Sequence, residues 1–254
     1  MLSALTIFIA YLLLALPAAA IGLPWTLLSG NIGFLYRWAM WIARTGLPLG
    51  GVRVEVSGRE YIPRDKACIF MSNHASNLDP AALAPLLPFR TAFFLKRSLL
   101  KIPLLGYGMR LADFIPVDRD GRVESAQESV RFAKRVLASG VSVMTFPEGT
   151  RSRDGKLLPF KKGPFYLALE SGAPVVPVSV RGTREMMPKG SLRIRPGIAE
   201  VAFQPSIDPQ RFATRADLMS AVRAAIAAGL GPAAGLGPAA GLGPAAGARE
   251  DRQP

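Results

Sequence analysis

The chain has 254 residues, half of them apolar, and carries 31 basic against 18 acidic side chains for a formal charge of +13. That length holds one ordinary domain with a membrane segment and a tail, and the apolar content excludes a disordered protein. The single cysteine, Cys68, excludes an intramolecular disulfide and fits a reducing compartment; with a single histidine it also excludes a zinc site built from those two residue types alone.

No charged side chain precedes Arg37. Residues 2–23 are almost wholly apolar, and a bilayer span needs roughly 20 such residues. A second run, 24–42, is interrupted by Asn31 and Arg37 and holds Trp25, Trp38 and Trp41, all the tryptophans of the chain. Tryptophan beside arginine marks a membrane–water interface. Residues 2–23 therefore read as membrane-embedded and 34–47 as lying along the surface, while Gly22, Pro24, Gly30 and Gly33 also allow a re-entrant helix pair. Ala18-Ala19-Ala20 resembles a signal-peptidase site, but the segment lacks the basic n-region a signal peptide needs. A buried core hairpin is the other reading. Arg37, Arg44 and the basic remainder point to the cytoplasmic side.

Beyond Gly50 short β-rich runs alternate with helical stretches. Candidate strands cover 52–56, 67–71, 92–95, 114–117, 141–146, 175–180 and 198–203, several bounded by Gly, Pro or Asp. Val123, Ala126, Val130, Ala133 and Leu137 recur at steps of three and four, which predicts an amphipathic helix over 122–139. Further helices are expected over 80–87, 97–109, 164–171 and 211–228. This alternation predicts an α/β domain over 49–228, a mostly parallel sheet flanked by helices, behind the membrane-embedded helical segment 1–48. From Gly229 the hexamer Gly-Leu-Gly-Pro-Ala-Ala occurs three times. Its period is too short for a helical solenoid and its proline breaks a helix, so 229–254 read as a flexible tail.

Two strand ends carry candidate chemistry. Asn73-His74-Ala75-Ser76-Asn77-Leu78-Asp79-Pro80 follows the strand 67–71, and strand carboxyl ends are where open α/β sheets place ligands. Five residues of helix would set His74 and Asp79 about 140° apart, so the two meet only across a turn. Asn73 and Asn77 suit that turn, and Pro80 suits a helix start capped by Asp79. Asp79 can then orient one imidazole nitrogen while the other takes a proton from an attacking alcohol; the alternative is a helix cap beside a loop histidine. The strand 141–145 runs into Phe146-Pro147-Glu148-Gly149-Thr150-Arg151-Ser152. There Gly149 permits close backbone approach, Thr150 offers a hydroxyl and Arg151 a phosphate-matching fork, with Lys156, Lys161 and Lys162 following. The alternative is a strand-end turn with a solvated basic rim.

These segments resemble glycerolipid acyltransferases, and among them the 1-acyl-glycerol-3-phosphate acyltransferases. Asn73-His74 with Asp79 resembles the first signature block, Phe114-Ile115-Pro116-Val117-Asp118-Arg119 the second, the Phe146–Ser152 segment the third and Val175-Val176-Pro177-Val178 the fourth. Lys96-Arg97-Ser98-Leu99 and Pro159-Phe160-Lys161-Lys162-Gly163 match other common stretches. Ala112-Asp113 stands where the second block usually opens with glycine. The resemblance implies that His74, oriented by Asp79, deprotonates the sn-2 hydroxyl of a lysophospholipid, which then attacks the thioester of acyl-CoA or acyl-carrier protein. It further implies that Arg119 and Arg151 hold the acceptor phosphate in a pocket shaped by Glu148, Gly149 and Thr150, with Asn73, Lys96 and Lys161 as additional candidates and no metal or cofactor. The expected partners are the lipid acceptor, the acyl donor and an anionic membrane surface at the cytoplasmic face of the inner membrane. Glycerol-3-phosphate, a lyso-ornithine lipid or another lysophospholipid is the alternative acceptor.

Three other classes compete. The basic charge suits nucleic acid, yet no recognised nucleic-acid motif is present and the basic residues cluster around the blocks. A lipid-binding protein with an inactive site conflicts with intact His74 and Asp79. A hydrolase using Cys68 or a serine lacks a Gly-x-Ser-x-Gly elbow.

Overall fold

A computed structural model describes residues 4–231 except 89, 119–121 and 192, so Arg119 and most of the repeat tail lie outside the described residues. Two helices open the chain, α1 (Ala4–Ser29) and α2 (Gly33–Leu49). They pack on each other, and Leu35 fills the space a side chain at Gly22 would need. The sequence reading ended the first apolar segment at residue 23, whereas α1 continues through Pro24 to Ser29 and takes Trp25 with it. Proline lacks an N–H but tolerates helical φ, so a helix already propagated can carry it. Large apolar side chains of α1 stand exposed, among them Leu13, Leu16, Ile21, Trp25 and Leu28. Counted over the described residues, no helix is long and apolar enough to cross a membrane.

The remainder is an α/β sandwich. Its strands are β1 (Val52–Ser57), β2 (Ile69–Ser72), β3 (Thr91–Lys96), β4 (Ile115–Val117), β5 (Ser142–Thr145), β6 (Val175–Arg181) and β7 (Gly197–Phe203). They line up as β1-β7-β6-β2-β5-β3-β4, with every pair parallel except antiparallel β6–β7. All seven expected strands are present. Helices α3 (Leu78–Leu83), α4 (Leu105–Leu111), α5 (Val123–Ala138), α6 (Gly163–Ser171), α7 (Thr183–Met186) and α8 (Arg215–Leu230) connect or cover them.

Strand β2 explains why the sheet is central. Its four residues are all buried, and successive side chains point to opposite faces. Ile69 and Met71 join Val143, Phe165, Leu218 and Val222 under α5, α6 and α8, while Phe70 joins Met144, Val176, Val178 and Phe203 on the other face with Leu83. Two expectations shift locally. The helix expected over 97–109 divides into a 3-10 turn, Arg97–Lys101, and α4, because Pro103 cannot continue the hydrogen-bond ladder. Helix α8 runs through Leu230, two residues past its expected end, since Gly229 lies against Ser179 and Gln204 where any side chain would collide.

Candidate active site

β2 and β5 are neighbours, so the loops at their carboxyl ends leave the sheet side by side. The first carries His74 and Asp79. As the spacing requires, they meet across a non-helical turn: His74 Nδ1 lies 2.8 Å from Asp79 Oδ2. The helix start differs from the expectation. Helix α3 begins at Leu78, behind Asn77, so Asp79 sits inside its first turn and is no N-cap. From there Oδ2 also accepts the N–H groups of Ala75 and Ser76, each at 2.8 Å. Asp79 is fully buried, and a carboxylate oxygen accepting three hydrogen bonds requires Nδ1 to carry the proton. The imidazole stacks on Phe146, centroids 4.0 Å apart, and its side chain is 13% exposed. Nε2 is the ring atom that no described residue engages.

The backbone of His74 is held equally firmly. Its N–H donates to Glu148 Oε1 at 2.7 Å and its carbonyl accepts from the Ser152 N–H at 2.7 Å. Glu148 Oε2 accepts from the Leu158 N–H at 2.8 Å. Glu148 is only 2% exposed, and burial pushes its carboxyl up to about 7 against the pull of those two N–H donors. Both oxygens are thus committed to backbone. The resemblance places Glu148 in the acceptor pocket; in the structure its two oxygens tie the His74 backbone to Leu158. Asn73 is likewise structural: its amide donates to the Val180 carbonyl and accepts from the Val180 N–H, both at 2.8 Å, which prolongs the β2–β6 pairing by one residue.

The remaining candidates are basic residues and a glycine at or after the ends of β5, β3 and β4. Gly149 has φ +70°, a left-handed turn position where a Cβ would press on Lys161. Lys161 donates its N–H to the Pro147 carbonyl at 2.7 Å and exposes its side chain. Arg151 is half-buried, with no carboxylate in ion-pair range among the described residues. Lys96 stands exposed at the end of β3, in register with Val117 of β4. Arg119 follows two residues on, outside the described residues, but its neighbour Asp118 is fixed by Arg97 Nε at 2.7 Å. Where the second block lacks its usual glycine, Asp113 itself adopts φ +59° and accepts from Arg90 Nη2 at 2.6 Å. Aspartate tolerates that conformation better than most residues, so the turn survives the exchange.

Two participants carried no sequence signal. Lys189 Nζ donates to Thr150 Oγ1 at 3.2 Å and to the Arg151 carbonyl at 2.9 Å, pinning the loop that carries both residues. On α8, Arg223 donates to the Leu158 and Leu157 carbonyls at 2.8 and 2.9 Å and so backs the segment that holds Glu148. Cys68, by contrast, is fully buried at the start of β2 and its thiol is pushed up to about 11 by burial, which makes it a poor nucleophile. Among the described residues no group of three or more His, Cys, Asp or Glu is gathered as metal ligands would be.

The site thus joins a buried carboxylate to an imidazole whose second nitrogen no described residue engages. The acyltransferase family model matches residues 53–181, and the chain belongs to that family. It is 35% identical over 214 residues to the 1-acyl-sn-glycerol-3-phosphate acyltransferase of Limnanthes douglasii, covering 82% of this chain and 75% of the relative. The human 1-acyl-sn-glycerol-3-phosphate acyltransferase alpha is 34% identical over 159 residues, 63% of this chain and 56% of the relative. The crystal structure of the 1-acyl-sn-glycerophosphate (LPA) acyltransferase PlsC from Thermotoga maritima superposes with a TM-score of 0.69 at 28% identity, covering 88% of this chain and 96% of that one.

Proposed function

We propose that this acyltransferase moves a fatty acyl group from acyl-CoA or acyl-carrier protein to the sn-2 hydroxyl of lysophosphatidic acid, forming phosphatidic acid. The observation that carries the reading is His74, held at its N–H, carbonyl, ring face and Nδ1, with Nε2 engaged by no described residue. Nε2 takes the hydroxyl proton as that oxygen bonds to the thioester carbonyl carbon. The C–S bond then breaks and the departing sulfur receives the proton from the imidazolium. Asp79 stabilises the charge on the ring through the Nδ1–H contact, and positioned base catalysis of this kind contributes about 10²–10⁴-fold. The thioester supplies the activated acyl group, so the scheme calls on no resident cofactor. Arg119, Arg151 and Lys96 bind the acceptor phosphate, Lys189 orders the Arg151 loop, and Lys161 adds charge at the entrance. The names of the relatives support the acceptor.

The α1–α2 pair lies in the membrane in this reading, with the catalytic domain on the cytoplasmic face of the inner membrane. Its support is an uncharged stretch up to Arg37 with large exposed apolar side chains. Basic surface residues add attraction to anionic lipid, about 1 kcal/mol for each one near the headgroups. The test is a donor-by-acceptor assay on the purified chain, pairing acyl-CoA and acyl-carrier protein with lysophosphatidate, glycerol-3-phosphate, lyso-ornithine lipid and lysophosphatidylcholine. Preferred turnover of lysophosphatidate to phosphatidate acylated at sn-2 supports the proposal. Preference for another acceptor, or transfer to water alone, overturns it.

A further inference from the structure

Between β3 and β4 the chain builds a protrusion that the reaction scheme leaves unused. The 3-10 turn Arg97–Lys101 and α4 are locked together: the Gly106 N–H donates to the Ile102 carbonyl at 2.8 Å and Arg110 Nη2 to the Leu100 carbonyl at 2.9 Å. A Cβ on Gly106 would lie 2.2 Å from the Leu100 carbonyl oxygen, so only glycine allows this approach. The outer surface of this preformed knob is apolar. Leu99, Ile102, Leu104, Leu105 and Tyr107 are all exposed, Leu104 at 54%. Leu104 also adopts φ +60°, a left-handed conformation that leucine seldom takes.

Within the segment itself every charge is basic, although Arg97 at its base is paired with Asp118 and Glu128. From Lys96 to Leu111 there is no acidic residue, and Lys96, Lys101 and Arg110 are exposed. The far end of α4 is attached to the first helix pair: Leu111 and Ala112 share a cluster with Ile32 and Tyr36, and Leu35 faces Gly108. Tyr36 tightens that joint by accepting the Thr91 N–H at 2.9 Å, at the strand from which the knob departs. Exposed leucines in a segment that also exposes Lys96, Lys101 and Arg110 match a leaflet with apolar chains below and anionic headgroups above. Scattered exposed leucines need no explanation, but five large side chains on one rigid turn do.

We propose that the 97–109 knob is a second membrane-seating element, which inserts Leu104 and Leu105 into an anionic leaflet beside the acceptor phosphate site. It rests on the reading that α1 and α2 lie in the membrane. The knob leaves β3 at Lys96 and returns to the sheet at β4, so it sets the height of Lys96 above the lipid. A lysophospholipid rising from the leaflet then reaches Nε2 of His74 without leaving the surface.

An environment-sensitive fluorophore on Leu105→Cys in the Cys68→Ser background tests this, with Leu28→Cys reporting on the helix pair and Ser206→Cys, on the turn after β7, as the aqueous control. Full-length protein is mixed with phosphatidylglycerol–phosphatidylethanolamine vesicles, with and without spin-labelled lipid. Blue-shifted, lipid-quenched emission at both 28 and 105, with 206 unchanged, supports the proposal. Emission quenched at 28 and aqueous at 105 overturns it while leaving the helix-pair reading intact; aqueous emission at both overturns the two together. In parallel, Leu104→Gln with Leu105→Gln is expected to raise KM for long-chain lysophosphatidate in vesicles by at least about tenfold, since two inserted leucines are lost. KM for a water-soluble short-chain acceptor stays unchanged. An unaltered vesicle KM refutes the knob's role.

Discussion

Glu148→Gln separates two roles for one carboxyl: a clamp on His74 or a ligand for substrate. In the native chain both oxygens accept backbone N–H groups, from His74 at 2.7 Å and Leu158 at 2.8 Å. The amide keeps one acceptor and turns an NH2 toward the other N–H, leaving a buried donor unpaired at a cost of about 1–3 kcal/mol. The pH dependence runs the opposite way. Burial raises the folded carboxyl from 4.5 to about 7, so between those values the folded chain binds more protons than the unfolded one. Stability therefore falls as pH rises through that window and levels off above about 7, by roughly 3 kcal/mol at 1.36 per pH unit. The glutamine variant lacks this slope. Its deficit relative to the native chain is expected to be largest near pH 5 and to shrink or reverse by pH 8, followed by urea denaturation in detergent. Displacement of the His74 backbone should lower kcat by about 100-fold with KM for the acceptor nearly unchanged. A pH-independent stability difference, or a raised KM with native kcat, would refute the clamp and return Glu148 to the acceptor pocket.

His74→Ala is expected to lower kcat by at least about 10²–10⁴-fold while membrane association persists, and native turnover in a membrane assay would remove it as the base. Asp79→Asn should approach the same loss, since a carboxamide neither holds the Nδ1–H tautomer nor balances the imidazolium; the pH–rate profile of kcat is the measurement. Arg151→Lys and Lys189→Met should each raise KM for the phosphorylated acceptor about tenfold and leave KM for the thioester alone, because a lost charge-assisted bond costs about 1.5–3 kcal/mol. Equal changes in both constants would move the phosphate site elsewhere. Cys68→Ser should leave turnover intact, as its thiol is fully buried on β2, and an inactive but folded variant would restore a thiol nucleophile.

Much of the fold was legible because β-rich runs and the 3.6-residue period of α5 are local signals, and the sheet needs little else to form. The His74–Asp79 pair was legible through the resemblance of its block, and geometry added that the two can touch only across a turn, which occurs after β2. What stayed hidden depends on burial and on distant partners. A glutamate next to a glycine and an arginine reads as a pocket residue until its two oxygens are seen on the backbone of His74 and Leu158. Lys189 and Arg223 meet their partners across 38 and 66 residues, beyond the reach of any periodicity. The reversed direction of β7 was equally silent, since alternation of apolar side chains is the same in either sense. The break before α4 could have been read from Pro103.

The placing of β2 bears on how the chain becomes an enzyme during synthesis. Its hydrogen-bonding partners all arrive later: the His74–Glu148 bond closes over 74 residues and the Asn73–Val180 bond over 107. The arginine that backs the Leu157–Leu158 segment comes later still, on α8. A nascent chain therefore carries an unoriented histidine until nearly the whole domain has emerged from the ribosome. Non-local pairing of this kind folds slowly. The orientation of His74 is thus completed only as the fold itself is completed.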